Sequence, residues 1–247
     1  RARRRRTSAS RGAHRPRVAA RRAPLAAGRW PASGAASAGL GLVRRGRLVA
    51  VSGKPFRDVI RERVFTPLAM TTAAWDPAEV PPALATRGAS GTQVRSFADD
   101  PPCDALAAAG GTMATVGDMA RLVAWTLGDG QPLLPPAQMT ALRAVNAPIG
   151  YGDTAYGLGV YVAQLDGTPL LHHTGASGGW LAYWASVPSA RVGAVMMTNG
   201  EDAGLPQFAG VAVRRMLGRP AAPPPVLTDP ATWTKYVGTY TDGYGKL

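Results

Sequence analysis

The chain has 247 residues, 46% of them hydrophobic and 17% charged, with 30 glycines and 22 prolines. That length suffices for one sizeable core, or one core plus part of another; the composition excludes a coiled coil, and no apolar run approaches the ~20 residues of a membrane-spanning helix. The formal net charge of +13 points toward nucleic acid until it is divided: residues 1–47 hold 14 arginines and no acidic residue, and the rest of the chain carries a net −1.

Residues 1–47 consist almost wholly of Arg, Ala, Gly, Pro and Ser and include Arg3-Arg4-Arg5-Arg6. Such a segment cannot bury enough apolar surface to offset its ordering entropy, so disorder is expected. Three readings compete: a basic nucleic-acid arm, a targeting segment, and a frame-shifted stretch joined to a genuine domain. The abrupt change of composition near Leu48 favours the last. Trp30 is the sole aromatic residue there, which leaves little for base stacking, and no nucleic-acid partner is expected.

From Leu48 the pattern becomes orderly. Pro55 opens a helix with Phe56, Val59, Ile60 and Val64 on one face and Arg57, Asp58, Arg61 and Glu62 on the other; Pro67 ends it. Residues 71–105, with Pro77, Pro81, Pro82, Pro101 and Pro102, read as one long loop of the kind that lines sites. Their Cys103 is the only cysteine of the chain, so no disulfide framework exists, and it reads as a small apolar core residue. After the Gly110-Gly111 turn, Thr115 predicts an N-cap with Asp118 as capping-box partner, and Met119, Leu122, Val123 and Leu127 supply the apolar stripe. A shorter helix follows near Pro136–Val145.

A β meander comes next. Tyr156–Leu165 reads as a strand, Asp166-Gly167 as a type I′ hairpin, and further strands fall at Pro169–Thr174, Gly179–Val187 and Arg191–Thr198, with a turn at Pro188-Ser189. Phe208, Val211, Ala212 and Met216 mark a closing helix. Residues 219–232 form a Pro-rich linker, and 233–247 begin a new β-rich pattern. Helices, then antiparallel strands, then a packing helix predict an α+β layered domain.

The sharpest chemical signal is His172-His173-Thr174-Gly175-Ala176-Ser177-Gly178-Gly179-Trp180. It resembles the third motif of the serine β-lactamase and penicillin-binding-protein family, Lys-Thr-Gly or His-Thr-Gly followed by a Gly-rich turn. Four other stretches resemble the family in order: Ser52-Gly53-Lys54-Pro55-Phe56 with Pro67-Leu68-Ala69-Met70, where Ala69 replaces the usual Gly; Ala109-Gly110-Gly111 with Thr115 and Asp118-Met119-Ala120-Arg121; Tyr156-Gly157-Leu158-Gly159; and Met197-Thr198-Asn199. The resemblance covers residues 48–218. It implies a β-lactamase/transpeptidase-like antiparallel sheet flanked by helices, with the N-terminal part of the domain missing. It further implies a serine hydrolase acting on a β-lactam, a D-Ala peptide or an ester, with a small-molecule or peptide substrate, no cofactor and no metal. Relatives of this kind are periplasmic or secreted, although no signal peptide is readable here.

In that family the third motif lies on an edge strand beside the nucleophile. Side chains alternate faces, so only one of His172 and His173 points into the site, and the motif assigns that place to His173, for binding a substrate carboxylate or stabilising developing charge. By the same resemblance Thr174 offers a hydroxyl and Gly175 leaves room for the acyl group. Ser177 and Gly178 adjoin the substrate. The Ala176 N–H is one of two oxyanion donors, each of which can be worth ~3 kcal/mol in the transition state.

The nucleophile is not found. The family uses Ser-x-x-Lys, but the three lysines are Lys54, Lys235 and Lys246, and the residues three before them are Val51, Thr232 and Gly243. The slot of the second motif, Tyr-x-Asn or Ser-x-Asn, holds Ala36-Ser37-Ala38. Loss of a serine nucleophile can cost on the order of 10⁶ in turnover, so this chain is expected to be inactive alone. The alternative is a non-catalytic relative that binds a ligand or partner. Missing sheet and helix should leave a strand edge uncovered.

Overall fold

Helical residues 45–52 (α1) lead to Gly53, whose φ of +67° turns the chain. The expected boundary at Leu48 therefore falls inside a helix. The computed structural model describes residues 45–90, 92–96, 107–149, 154–200, 204–220 and 233. Residues 1–44, with Ala36-Ser37-Ala38, lie outside the described residues, as do Cys103 and nearly all of the expected linker and terminal β pattern. Pro55 precedes α2 (Phe56–Ile60), which runs on as a π-turn over Arg61–Phe65. Trp75 stacks on Phe65 at 5.0 Å and meets Phe56 edge-on at 6.0 Å; with Met70, Ala73 and Ala107 they form one core. The chain leaves this helix through Ala69 at φ +54°. A Cβ in that left-handed conformation costs about 1–2 kcal/mol, which is why the resembled run carries Gly there.

The stretch expected to be one long loop contains structure. Two 3₁₀ turns (Pro77–Glu79 and Pro82–Leu84) precede a hairpin of β1 (Arg87–Ser90) and β2 (Gln93–Ser96). These strands escape pattern reading because each has four residues and only Val94 is a large apolar one.

Helix α3 (Val116–Leu127) begins at Thr115, whose side chain accepts from the Asp118 N–H at 3.3 Å. Only this half of the expected capping box forms. The Asp118 carboxylate, 1% exposed, instead accepts from Thr72 N at 2.7 Å, Thr72 Oγ1 at 2.5 Å and Arg121 Nη1 at 2.9 Å. It ties the turn after Ala69 to the start of α3, and a buried carboxylate needs those donors. At the other end, Arg143 of α4 (Pro136–Arg143) donates to the Thr126 and Gly128 carbonyls, which satisfies acceptors that every helix C-terminus leaves open.

The main sheet has six antiparallel strands in chain order: β3 (Ala147–Pro148), β4 (Ala155–Tyr156), β5 (Tyr161–Leu165), β6 (Thr168–Ser177), β7 (Trp180–Val187) and β8 (Val192–Thr198). The strand expected at Tyr156–Leu165 is thus two strands parted by a bend. Helix α3 packs on one face, where Val123 lies so close to Gly193 that a Cβ there would be 2.6 Å from its Cγ1. Buried Thr126 donates to the Val123 carbonyl at 2.6 Å and shares a hydrogen bond with the Ser186 hydroxyl at 2.9 Å on the same side.

The other face packs against α5 (Leu205–Met216) through Tyr183, Ala185, Val187, Leu205, Ala209 and Val213. The expected closing helix is present as α5, and its buried face is set by small residues: Phe208, Val211 and Met216 are exposed, while Leu205, Ala209 and Val213 are buried. Small side chains let this helix approach the sheet closely, and hydrophobicity alone does not reveal that preference.

Candidate active site

Strand β6 carries all the expected site residues except Gly178, which lies in the turn that follows. Two two-residue turns fix its backbone parity. Asp166 and Gly167 have φ of 50° and 74°, Gly178 and Gly179 of 50° and 96°, the positive values that tight hairpins need. Residues flanking such a turn exchange both backbone hydrogen bonds, and the pattern alternates from there. With Ser177 opposite Trp180 and Thr168 opposite Leu165, odd-numbered residues of β6 bond to β7. The backbone groups of His172, Thr174 and Ala176 point the other way, toward β5.

Strand β5 begins at Tyr161, opposite His172. Beyond that point β6 pairs only with β7 among the described residues. The expected edge strand is therefore interior over its first half and edge-like only over residues 173–177. Thr174 and Ala176 direct their backbone groups to this open side, and Thr174, Gly175, Ala176 and Ser177 are all exposed. The described residues form a wall here, not an enclosed pocket.

Alternation divides the candidates. His173, Gly175 and Ser177 share the α3 side of the sheet, and His172, Thr174 and Ala176 share the α5 side. His172 is stacked between Tyr161 and Tyr183, at 5.0 and 5.5 Å. Its Nδ1 is buried without a hydrogen-bond partner among the described residues. Burial, aided by the neighbouring His173, pulls its pKa from 6.5 down to about 4, so the ring is neutral at pH 7.

His173 is differently placed. Its Nε2 lies 3.0 Å from Tyr156 Oη and its Nδ1 2.7 Å from the Thr174 carbonyl, and Tyr161 flanks the ring at 5.1 Å. Tyr156 and Tyr161 were not singled out as site neighbours from sequence. Counting outward from the Asp166-Gly167 turn does place Tyr161 opposite His172.

The Gly-rich turn has a packing reason. A Cβ on Gly179 would lie 2.6 Å from Ala89 N, and one on Gly88 2.7 Å from the Trp180 ring. Strand β1 thus closes over the β6–β7 turn. It is held by Ala89 N to Asn199 O (2.8 Å), Asn199 Nδ2 to Arg87 O (2.9 Å) and Trp180 Nε1 to Thr86 Oγ1 (3.0 Å). This accounts for Gly179, Trp180 and Asn199 without chemistry.

At the far edge of the sheet, β8 pairs only with β7 among the described residues. An open groove of about 390 Å³ runs along it, lined by Val116, Val123 and Leu127 of α3, Val192 and Val195 of β8, and Met216. No expected site residue borders it.

An antiparallel sheet between helices, with a His-Thr-Gly strand beside an open edge, defines the fold class of the serine β-lactamases and penicillin-binding proteins. The octameric penicillin-binding protein homologue from Pyrococcus abyssi has this fold, with a TM-score of 0.60 and 17% identity over 69% of this chain and 40% of that one. The Beta-lactamase family model matches residues 5–214, a wider span than the motifs cover, and the chain belongs to that family. Penicillin-binding protein 4 of Amycolatopsis lactamdurans is 29% identical over 76% of this chain and 56% of its own length. The D-alanyl-D-alanine-carboxypeptidase/endopeptidase AmpH of Escherichia coli K12 is 31% identical over 62% of this chain and 41% of its own. The chain thus spans about half the length of the curated relatives it matches.

Proposed function

We propose that β6 forms the sheet-side wall of a serine-hydrolase acyl-transfer site whose substrate is a β-lactam, a D-Ala peptide or an ester. The observation that carries this is the direction of the Ala176 N–H, turned toward the open side of β6 by the parity of two hairpins. Placed there, it is one oxyanion donor, and such a donor, fixed before reaction, stabilises charge without reorganising. Gly175 keeps the wall bare beside it, Thr174 supplies a hydroxyl at the rim, His173 is the polar side chain held against Tyr156 and Tyr161, and Ser177 and Gly178 line the far end. The names of the two relatives support D-Ala peptides and β-lactams; histidine in place of lysine in the motif favours peptides or esters over efficient penicillin hydrolysis.

These 247 residues contain no Ser-x-x-Lys, so the reading includes a second part: the polypeptide alone forms no acyl-enzyme. A fluorescent penicillin and a fluorophosphonate should leave it unlabelled, and nitrocefin or p-nitrophenyl esters should not turn over. The same chain extended to include a Ser-x-x-Lys segment should label at that serine, and should lose turnover by about 10²–10³ when the Ala176 amide is removed by an ester backbone substitution. A serine adduct with normal turnover on the unextended chain refutes the second part. An extended chain that labels normally without the Ala176 amide refutes the first.

A further inference from the structure

Tyr156 and His173 come from strands two apart in the sheet, yet their side chains meet at 3.0 Å. The partner of each ring nitrogen decides where the imidazole proton lies. The Thr174 carbonyl, 2.7 Å from Nδ1, can only accept, so Nδ1 carries hydrogen. In the neutral ring Nε2 is then an acceptor, and the phenol donates to it. We propose that Tyr156 is a positioning residue for His173, holding the imidazole as its Nδ1–H tautomer with Nε2 occupied by the Tyr156 hydroxyl. The proposal rests on the reading of β6 as an acyl-transfer wall.

The surroundings are built for this contact. Tyr161 presses on both rings, edge-on to Tyr156 at 4.8 Å and tilted to His173 at 5.1 Å. The Tyr156 backbone is held by Asn146 N, which donates to its carbonyl at 2.9 Å. The next residue has no room to shift, because a Cβ on Gly157 would lie 2.5 Å from the Leu142 carbonyl. Among the described residues, the titratable groups facing His173 are Tyr156 from β4, Tyr161 from β5 and His172 on its own strand. With both nitrogens engaged inside the protein, the neutral imidazole offers no N–H to a substrate carboxylate; recognition falls to the Thr174 hydroxyl and the Ala176 amide.

The test is long-range proton–nitrogen NMR of the full chain labelled with nitrogen-15 histidine. His173 is assigned by the signals lost in His173→Asn, leaving those of His14 and His172. Free imidazole side chains favour the Nε2–H form, so the expected result is a reversal: a protonated Nδ1 and a bare, hydrogen-bonded Nε2 at pH 7.5. Tyr156→Phe keeps the ring against Tyr161, and should move the Nε2 signal toward that of an unbonded acceptor nitrogen. A wild-type His173 in the Nε2–H form overturns the proposal, whatever the variant does. So does a Tyr156→Phe spectrum whose His173 signals coincide with wild type. Labelling of the extended chain by fluorescent penicillin reports separately on the acyl-transfer reading: failure there with the Nδ1–H form intact sinks that reading and leaves the tyrosine–histidine contact standing.

Discussion

Gly179→Ala separates a strained turn from a blocked one. The residue takes φ of +96°, and a Cβ in a left-handed conformation costs about 1–2 kcal/mol. The new Cβ also falls 2.6 Å from Ala89 N and 2.8 Å from Gly88 C. Those are backbone atoms, so relief requires β1 to move off the turn, which breaks the Ala89–Asn199, Asn199–Arg87 and Trp180–Thr86 hydrogen bonds. Each is worth about 1 kcal/mol at most, and two involve exposed side chains that water can serve instead. The expected loss is about 3 kcal/mol. Gly167→Ala is the control: φ there is +74° and nothing lies within 4 Å of the added Cβ, so only the conformational cost of about 1 kcal/mol applies. Urea unfolding of both variants, with hydrogen exchange at the Ala89 amide, measures the difference. Equal losses, or an Ala89 amide still protected in Gly179→Ala, would show that β1 does not close over the turn as described.

Three further outcomes follow from single residues. Ala69→Gly should raise stability by about 1 kcal/mol in urea unfolding, because it removes a Cβ from a left-handed position; destabilisation refutes the assigned φ. For His172 the folded pKa of about 4 lies below the ordinary 6.5, so the unfolded chain binds more protons between those values. The ring's contribution is full above pH 6.5 and is lost as pH falls toward 4. With Tyr161, Tyr183 and His173 facing it, His172→Gln should flatten the stability–pH curve in that window, and an unchanged slope counts against the burial of the ring. Phe208→Ala should shift stability by no more than about 0.5 kcal/mol, whereas Ala209→Leu one residue on should cost about 1–3 kcal/mol by overpacking against β7; the reverse ranking refutes the assigned face of α5.

Signals local to a few residues were legible in the chain. Thr115 capped its helix as read, Asp166-Gly167 turned its hairpin, and the strand after it carried the His-Thr-Gly motif. What escaped reading depended on distance between elements. The capping-box role of Asp118 failed because Thr72, 46 positions away, offers two better donors. The closing helix α5 was legible, but which face it buries was not, because closeness to the sheet favours Ala209 and Val213 over the larger Phe208. The hairpin at 87–96 escaped because its strands are short and polar and β1 is also tied to Asn199, more than a hundred residues on. The aromatic cluster around the two histidines was half legible. Tyr161 follows from register, but Tyr156 reaches His173 only because the chain bends between them.

That bend explains how the site edge stays open. If β5 continued straight back along β6, the register that pairs Tyr161 with His172 would set Val160 opposite His173 and Tyr156 opposite Ser177. The Thr174 and Ala176 backbone groups would then be used up in a ladder. Instead Gly159, at φ +87°, lets the chain fold back so that Tyr156 pairs with Tyr161. Gly157 then lies against the Leu142 carbonyl at the end of α4, where no side chain fits. The Tyr-Gly-Leu-Gly run is on this account a strand terminator. It leaves the Ala176 N–H without a ladder partner from β5 and delivers the Tyr156 hydroxyl to His173 in the same reversal. An open sheet edge is normally a hazard; among the described residues β6 presents one only over the five residues that carry the motif, which is what a site built from strand backbone requires.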